Sequence, residues 1–483
     1  LDIEVSTSSG KIADLGAVDS QDQTIHTPSQ GDFLNFVKDA EYVGGHNVLN
    51  HDLQYLKHLD LDKKKVIDTL YLSPLMFPMR PSHKLLKDEK ILSDALNNPL
   101  LDAQKSRDLF HDEVNAFNAL DADLKDIYFN LLKGFREFKY FFEYVGLKEE
   151  SKGFFNNLLS ARSSNKNLVK QIQTRFAGLI CENASFESFV TEHPIELAYA
   201  LSVINLQDKR SITPAWVLRN YPYTENILFM LRNNPCHDPT CPYCSGKLNV
   251  RKKLKEIFGY DNFRTCDGEP LQEQAAAAAV NNDSLLAIFP TGGGKSITFQ
   301  LPALMAGENY KGLTVVISPL QSLMKDQVDK LSSKGIPDAV TINGLLKPPE
   351  RAEAIERVAS GMASMLYISP ESLRSRTIEK LLLSRQIARF VIDEAHCFSS
   401  WGHDFRVDYL YIGDFIKKIQ EQKSGLRRIP VSCFTATAKQ KVVQDICDYF
   451  KKKLDLDLKI FATRATRANL TYHVIYQEDE DQK

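Results

Sequence analysis

From residue 285 onward the apolar positions of this chain come in short runs divided by polar, glycine-containing turns. Residues 285–289 and 388–392 are apolar almost throughout and predict strands buried on both faces. Residues 297–304 and 440–453 predict helices, and further strands are expected at 459–462 and 471–476. Between residues 113 and 235 the pattern takes a helical period. Phe117, Leu120, Leu124 and Ile127-Tyr128 recur at that spacing, and Leu131-Leu132, Phe135 and Phe138 continue it. Pro194, Pro214 and Pro222 break the later part into short helices. Phe135, Phe138, Tyr140, Phe141 and Phe142 at this period predict core packing. Near the start, Asp2-Ile3-Glu4 alternates as a strand, which places both carboxylates on one face. The segment 44–53 leaves a short strand and enters a helix, and Asp102 stands at the start of another. The fold class is α/β, with expected domains at 1–112, 113–248 and 249–483. There is no internal repeat.

Composition narrows the setting. A chain of 483 residues, 43% hydrophobic and 25% charged, is globular and long enough for about three domains. No apolar stretch approaches the roughly 18 residues of a membrane span, so no membrane partner is expected. The formal net charge is −2, so contact with a polyanion rests on local groups. Eight cysteines in so long a chain make no disulfide framework. A reducing, cytoplasmic location is expected.

Pro290-Thr291-Gly292-Gly293-Gly294-Lys295-Ser296 joins the strand at 285–289 to a helix. Strand, glycine-rich turn, Lys-Ser and helix form a phosphate-binding loop. The glycines let backbone N–H groups face phosphate oxygens, and the helix start adds partial positive charge. Thr291, Gly292, Gly293 and Gly294 are expected to cradle the phosphates of ATP. Lys295 would reach the β- and γ-phosphates, and Ser296 would hold Mg²⁺. The strand at 388–392 ends in Asp393-Glu394-Ala395-His396. Acids at the C-terminal edge of a parallel sheet lie beside such a loop. Asp393 is expected to hold Mg²⁺, Glu394 to orient and deprotonate the attacking water, and His396 to sense the γ-phosphate.

Residues 258–476 resemble, motif by motif, the first RecA-like lobe of RecQ-type DNA helicases. Phe258-Gly259-Tyr260, Phe263-Arg264 and Gln272 resemble the family's adenine-recognition motif. That resemblance implies that Tyr260 and Arg264 sandwich the base while Gln272 reads its edge. The connection 265–271 is longer than the family's usual one. Residues 318–327, with Lys325, resemble motif Ia, and Ile368-Ser369-Pro370-Glu371 resembles motif Ib. Both line the single-strand track in the family. Thr435-Ala436-Thr437-Ala438 resembles motif III, which couples hydrolysis to strand movement. Residues 397–406 resemble the aromatic-rich loop of RecQ proteins. Trp401 and Phe405 offer faces for base stacking, and Arg406 a phosphate or cation–π contact. Single-stranded or junction DNA is the implied partner. No second set of alternating strands and helices follows, and the chain opens on Leu1 within a strand. The expectation is a fragment of a longer polypeptide. Its second RecA-like lobe would come from the remainder or from a partner.

Cys236-x4-Cys241-x2-Cys244 lies in a proline-rich turn. Short spacing on a tight turn presents thiolates to Zn²⁺. Cys181 is the chosen fourth ligand, with His237 and Cys266 as alternatives. The site precedes the helicase-like lobe, so it is not the zinc module that RecQ proteins carry after their second lobe. A structural clasp is expected.

In the first 112 residues, the order Asp2-Ile3-Glu4, then Gly44 to Leu53, then Asp102 resembles the DnaQ-like (DEDD) exonucleases, which have a ribonuclease-H-like fold. Val66-Ile67-Asp68-Thr69-Leu70 also resembles a segment of that family. The resemblance implies that Asp2, Glu4, Asp52 and Asp102 hold two Mg²⁺ or Mn²⁺ for phosphodiester cleavage. The family's His before the last Asp is Asn97 here, which cannot act as a base. His83 is a candidate substitute. The expected function is an ATP-dependent DNA helicase of RecQ type coupled to a 3'-5' exonuclease-like domain. The alternative is a nucleotide-gated DNA-binding scaffold with an inactive nuclease domain.

Overall fold

The computed structural model describes residues 1–6, 9–56, 61–85, 98–148, 157–206, 212–266, 268–290, 292–399, 407–423, 427–436 and 439–462. Asn97, Thr291, Trp401, Phe405, Arg406, Thr437, Ala438 and the expected strand at 471–476 lie outside the described residues.

The N-terminal part begins with an antiparallel sheet of β1 (Asp2–Val5), β2 (Ile12–Val18) and β3 (Thr24–Thr27). A parallel pair follows, β4 (Tyr42–Gly45) and β5 (Lys65–Asp68). The Leu1 amino group donates to the Gly44 carbonyl at 2.7 Å, which sets the start of β1 beside the end of β4. Ile3, Leu15, Phe33, Val43, Val48, Leu53 and Val66 fill the core beneath.

The helix Pro99–Ala119 runs through the domain boundary expected at 112. Its first turn lies on β2 and its far end carries Phe117 into the core of the helical region. The contact with β2 is close. A Cβ on Gly16 would stand 2.3 Å from the backbone N of Leu100, so only glycine admits the helix there. Gly16 pairs with Asp2 across β1 and β2, and this approach brings Asp102 over Asp2.

Short helices occupy much of the region from 122 to 247, including Ala122–Leu132, Arg136–Tyr144, Pro194–Asn205 and Tyr223–Arg232. The helical period had marked Phe138, Phe141 and Phe142 as core, and all are buried. Their core is shared. Ile67, Tyr71 and Leu75 join it from the N-terminal part, and Ala306, Tyr310 and Ala388 from the C-terminal part. The Tyr199 hydroxyl donates to the Tyr71 carbonyl at 2.9 Å, and Phe229 meets Tyr310 edge-on at 5.7 Å.

The C-terminal part is a seven-stranded parallel sheet. Its strands are β6 (Leu285–Ile288), β7 (Leu313–Ile317), β8 (Ala339–Ile342), β9 (Met365–Ile368), β10 (Ile387–Ile392), β11 (Val431–Thr435) and β12 (Lys459–Ala462). The order is β12-β6-β11-β10-β7-β9-β8. Strands β6 to β11 are buried throughout, as largely apolar runs between helical layers, and the buried Arg389 guanidinium donates to the Asp283 and Ala279 carbonyls, both at 2.8 Å. The helical region packs on the N-terminal edge of this sheet. There Gln386 donates to the Glu225 carbonyl at 3.2 Å, Lys423 pairs with the Glu225 carboxylate at 3.0 Å, and Arg427 lies 4.2 Å from the Phe229 ring. Among the described residues no helix is long and apolar enough to cross a membrane.

Candidate functional site

The C-terminal edge of the sheet gathers the phosphate-loop and acidic residues. Strand β6 runs into the loop, and the helix Lys295–Tyr310 leaves it. Gly292 and Gly294 take φ of 80° and 79°, the left-handed region that glycine enters freely. The turn is closed by the Gly293 N–H, which donates to the Pro290 carbonyl at 2.8 Å. The Lys295 ammonium lies 3.3 Å from Glu394 Oε1. Ser296 follows in the first turn of the helix and lines the adjoining cavity.

Strand β10 delivers the acids two positions along the sheet from β6. The Asp393 N–H donates to the Ile317 carbonyl at 2.9 Å, which continues the β7 ladder past the strand end. Glu394 then turns sharply, with φ 48° and ψ 47°. A non-glycine residue held in this region is strained, and such strain concentrates at functional sites. The turn aims the Glu394 carboxylate at Lys295 on one side and at His396 Nδ1, 3.2 Å away, on the other. His396 Nδ1 is also 3.1 Å from the Thr435 hydroxyl at the end of β11. The hydrogen bond with His396 holds the Glu394 carboxyl below its ordinary range, although burial opposes it. Burial pushes the Asp393 carboxyl up, against the pull of Lys295.

Beside the phosphate loop is a cavity of about 500 Å³ lined by Tyr260, Arg264, Gln272 and Ser296. The lengthened connection folds into a small turn closed by the Cys266–Glu269 bridge, so Arg264 and Gln272 remain adjacent. The Arg264 N–H donates to Gln272 Oε1 at 2.9 Å, and the Arg264 guanidinium to the Gly292 carbonyl at 3.1 Å. Tyr260 is 45% exposed, with its ring parallel to that of Phe258. Sequence reasoning missed Lys334, whose ammonium donates to the Tyr260 hydroxyl at 2.8 Å. It comes from the far side of the cavity, just past the helix Gln321–Ser333, and no local pattern marks it.

The residues expected on the single-strand track follow β7 and β9, which are neighbours in the sheet. Lys325 is exposed on the helix Gln321–Ser333. Ser369 is buried, its hydroxyl 3.0 Å from that of Ser372.

A second cluster lies on β1. Ligand atoms of Asp2, Glu4 and Asp102 lie within 4.8 Å of one another. Asp52 is set back from them. Its Oδ1 accepts the Ile3 N–H at 2.9 Å, and it is 1% exposed. Burial, then Asp52, Asp102 and Glu4, push the Asp2 carboxyl up to about 8. Asp68, whose role the sequence left open, is fully buried. It accepts the N–H groups of Asn47 and Leu49 at 2.8 and 3.0 Å and so fixes the turn that leads to Asp52. His83 is buried, 2.8 Å from the Ser73 hydroxyl, and burial holds it down at about 4, with Arg80 and His46 adding to the effect. It is therefore neutral at pH 7 and stands outside the carboxylate cluster.

A third cluster is made of thiols. Cys181, Cys236, Cys241 and Cys244 bring their sulfurs within 4.8 Å of one another. His237 and Cys266 are not part of the set. The Cys181 N–H donates to the Leu231 carbonyl at 2.8 Å, which carries this distant residue to the proline-rich turn. Four thiols and no open position suit a structural Zn²⁺ site.

The parallel sheet, phosphate loop and acidic strand end are the parts of a nucleotide-binding lobe. Residues 269–446 match the DEAD/DEAH box helicase family. A 236-residue stretch, 47% of this chain, is 39% identical to the ATP-dependent DNA helicase Q5 of Rattus norvegicus and covers 22% of that protein. The ATP-dependent DNA helicase RecQ of Bacillus subtilis is 38% identical over 229 residues, 47% of this chain and 36% of that protein. RecQ of Haemophilus influenzae is 36% identical over 219 residues, 45% of this chain and 32% of that protein. The chain thus spans well under half the length of these relatives.

Proposed function

We propose that this chain is the ATP-binding lobe of a RecQ-type DNA helicase joined to an exonuclease-like domain. The observation that carries the reading is the Lys295–Glu394 contact of 3.3 Å at the C-terminal sheet edge. It lies within the stretch similar to RecQ helicases.

In this reading ATP sits with its base between Tyr260 and Arg264 and its phosphates on 291–295. Ser296 and Asp393 would hold Mg²⁺, which would supply positive charge beside the phosphates. Lys295 leaves Glu394 for the γ-phosphate, and Glu394 orients and deprotonates the attacking water. The contacts from Glu394 to His396 and from His396 to Thr435 carry the state of the γ-phosphate to the end of β11. A second RecA-like lobe, from the same polypeptide or a partner, would close the site from the other side. Single-stranded or junction DNA would cross the ends of β7 and β9 near Lys325 and Ser369, with Trp401, Phe405 and Arg406 adding stacking and charge. A cytoplasmic setting accompanies this reading.

The test is Lys295→Ala in the full-length protein. DNA-stimulated ATP hydrolysis and unwinding should both disappear while the circular dichroism spectrum stays unchanged. Unwinding that survives the substitution would refute the proposal.

The meeting of Asp2, Glu4 and Asp102 favours a working nuclease as a second activity. Strand order β3-β2-β1-β4-β5, given the Leu1 contact to β4, supports a ribonuclease-H-like fold. These carboxylates, with Asp52, would hold Mg²⁺ or Mn²⁺, which activates water and stabilises the leaving oxygen. End-labelled single-stranded DNA with Mn²⁺ should shorten progressively from its 3' end, and Asp2→Ala should stop it. Intact DNA with both proteins would leave the region a DNA-holding scaffold with an inactive nuclease domain. The thiol cluster, in the same reading, holds one Zn²⁺.

A further inference from the structure

The four thiols and the nucleotide cavity share one apolar core. Cys181, Cys241 and Cys244 pack in the same cluster as Leu248, Leu254, Phe258, Phe263 and Ile297. Leu254, Phe258, Phe263 and Ile297 also line the cavity beside the phosphate loop. The covalent path is equally short. Cys241 caps the helix Pro242–Lys247, and after Leu248 the helix Val250–Phe258 begins. That helix ends on Gly259, in the left-handed conformation at φ 73°, and the next residue is Tyr260. One end of the segment is therefore fixed by thiols and the other presents the base-stacking ring.

Between the two ends ion pairs anchor the segment, and Arg251 pairs with Glu273 at 2.5 Å. Lys253, 1% exposed, pairs with Glu308 at 2.8 Å, and Lys247 pairs with the same carboxylate at 3.0 Å. Tyr243 adds a neutral tie, its hydroxyl donating to the Arg232 carbonyl at 2.8 Å. These contacts locate the segment along its length, and its thiol end meets Cys181 and Cys236 from outside it. A centre closed by four thiolates fixes four chain positions at once, including Cys181 from a distant part of the chain.

We propose that metal held by Cys181, Cys236, Cys241 and Cys244 sets the affinity of the nucleotide cavity for its base, acting through the segment 241–260. The proposal rests on the reading of the thiol cluster as a Zn²⁺ site. No thiol touches the base. The metal fixes the thiol end, the packed core transmits that position, and the cavity wall at Leu254, Phe258 and Tyr260 holds its spacing. Loss of metal releases the thiol end, and the shift passes along the segment to the base clamp. The phosphate loop is anchored separately by β6 and the helix Lys295–Tyr310 and keeps its grip on phosphates.

The test compares two probes on the whole chain, ATP and inorganic tripolyphosphate, each with Mg²⁺, by competition against a fluorescent nucleotide. Zinc content is measured by mass spectrometry on the same samples. Protein as purified is set beside protein stripped with a thiol-selective mercurial and chelator, the same protein with Zn²⁺ restored, and Cys236→Ser. Cys447→Ser, on the helix Gln440–Leu454, is the control thiol. The expected result is one zinc per chain and an ATP affinity that falls about tenfold on stripping, within the range usual for coupling between two sites. Tripolyphosphate affinity should hold, and Zn²⁺ should restore ATP binding. A protein with no zinc as purified would remove the metal reading itself. Zinc that is present and lost without changing the ratio of the two affinities would overturn the coupling and leave the metal reading intact. Equal loss of both probes would also overturn it, because general unfolding makes no distinction between base and phosphate.

Discussion

The side-chain amide of Gln272 donates to the carbonyl of Gly293 at 2.5 Å. A residue expected to read the base thus also holds the phosphate loop, and its oxygen takes the Arg264 N–H as well. Gln272 is 1% exposed, so truncation leaves buried polar groups unpaired. Such loss costs about 1–3 kcal/mol, and we expect Gln272→Ala to weaken ATP binding roughly tenfold or more. Calorimetric titration with ATP would show it. Unchanged affinity would mean that the loop is held by its backbone turn alone.

Glu394 is the residue whose loss should separate binding from turnover. In the full-length protein with single-stranded DNA, Glu394→Gln should keep ATP affinity within a few-fold while hydrolysis falls about 10²–10⁴-fold, the usual range for a lost general base. Single-turnover measurements give both quantities. A variant that hydrolyses ATP at the parent rate would assign water activation elsewhere.

Gly16 offers a test of the carboxylate cluster without touching a carboxylate. The Cβ of Gly16→Ala would strike the start of the helix Pro99–Ala119 and push Asp102 away from Asp2. We expect about 1–3 kcal/mol of destabilisation from overpacking. Mn²⁺ binding should be lost and ATP binding preserved. Mn²⁺ titration followed by electron paramagnetic resonance would detect this, and full Mn²⁺ affinity in the variant would contradict the geometry.

Glu308 gives a pH dependence with a definite sign. Burial opposes ionisation there, yet the Lys253 and Lys247 ammonium groups hold the carboxyl down at about 2, below its ordinary 4.5. A depressed carboxyl stabilises the fold above its unfolded value, and that stability drains away as pH falls from about 4.5 toward about 2. Glu308 is 20% exposed, which trims the contribution to about 1–3 kcal/mol. Glu308→Gln should lower stability at neutral pH and flatten the acid limb in that window. Denaturant titrations across pH would decide, and an unaltered acid limb would remove Glu308 from the account.

The sequence was most readable where chemistry is local. The phosphate loop follows from consecutive residues, and the strand ahead of Asp393 is apolar but for the buried Arg389, so both could be placed without coordinates. Tertiary approach was not readable in the same way. Nothing in the letters around Gly16 says that a helix lands there, and nothing near Lys334 points to Tyr260. Cys181 was chosen over His237 and Cys266, but the backbone hydrogen bond to Leu231 that carries it to the turn is not encoded by spacing. The boundary expected at 112 falls inside a helix because Pro99–Ala119 serves two cores, and periodicity reports a helix without saying what covers each end. Glu394 was legible as the group that activates water, whereas its left-handed backbone emerged only in the fold.

The shared core running from Ile67 through the helices to Ala388 has a mechanical consequence. Its parts are joined by interlocked rings and aliphatic side chains, and close-packed interiors yield little under load. On the proposed function, movement generated at the sheet would reach Asp2 as along a strut. The stagger between the place where a strand is gripped and the place where it is cut would then be a property of the fold, a ruler built into the protein.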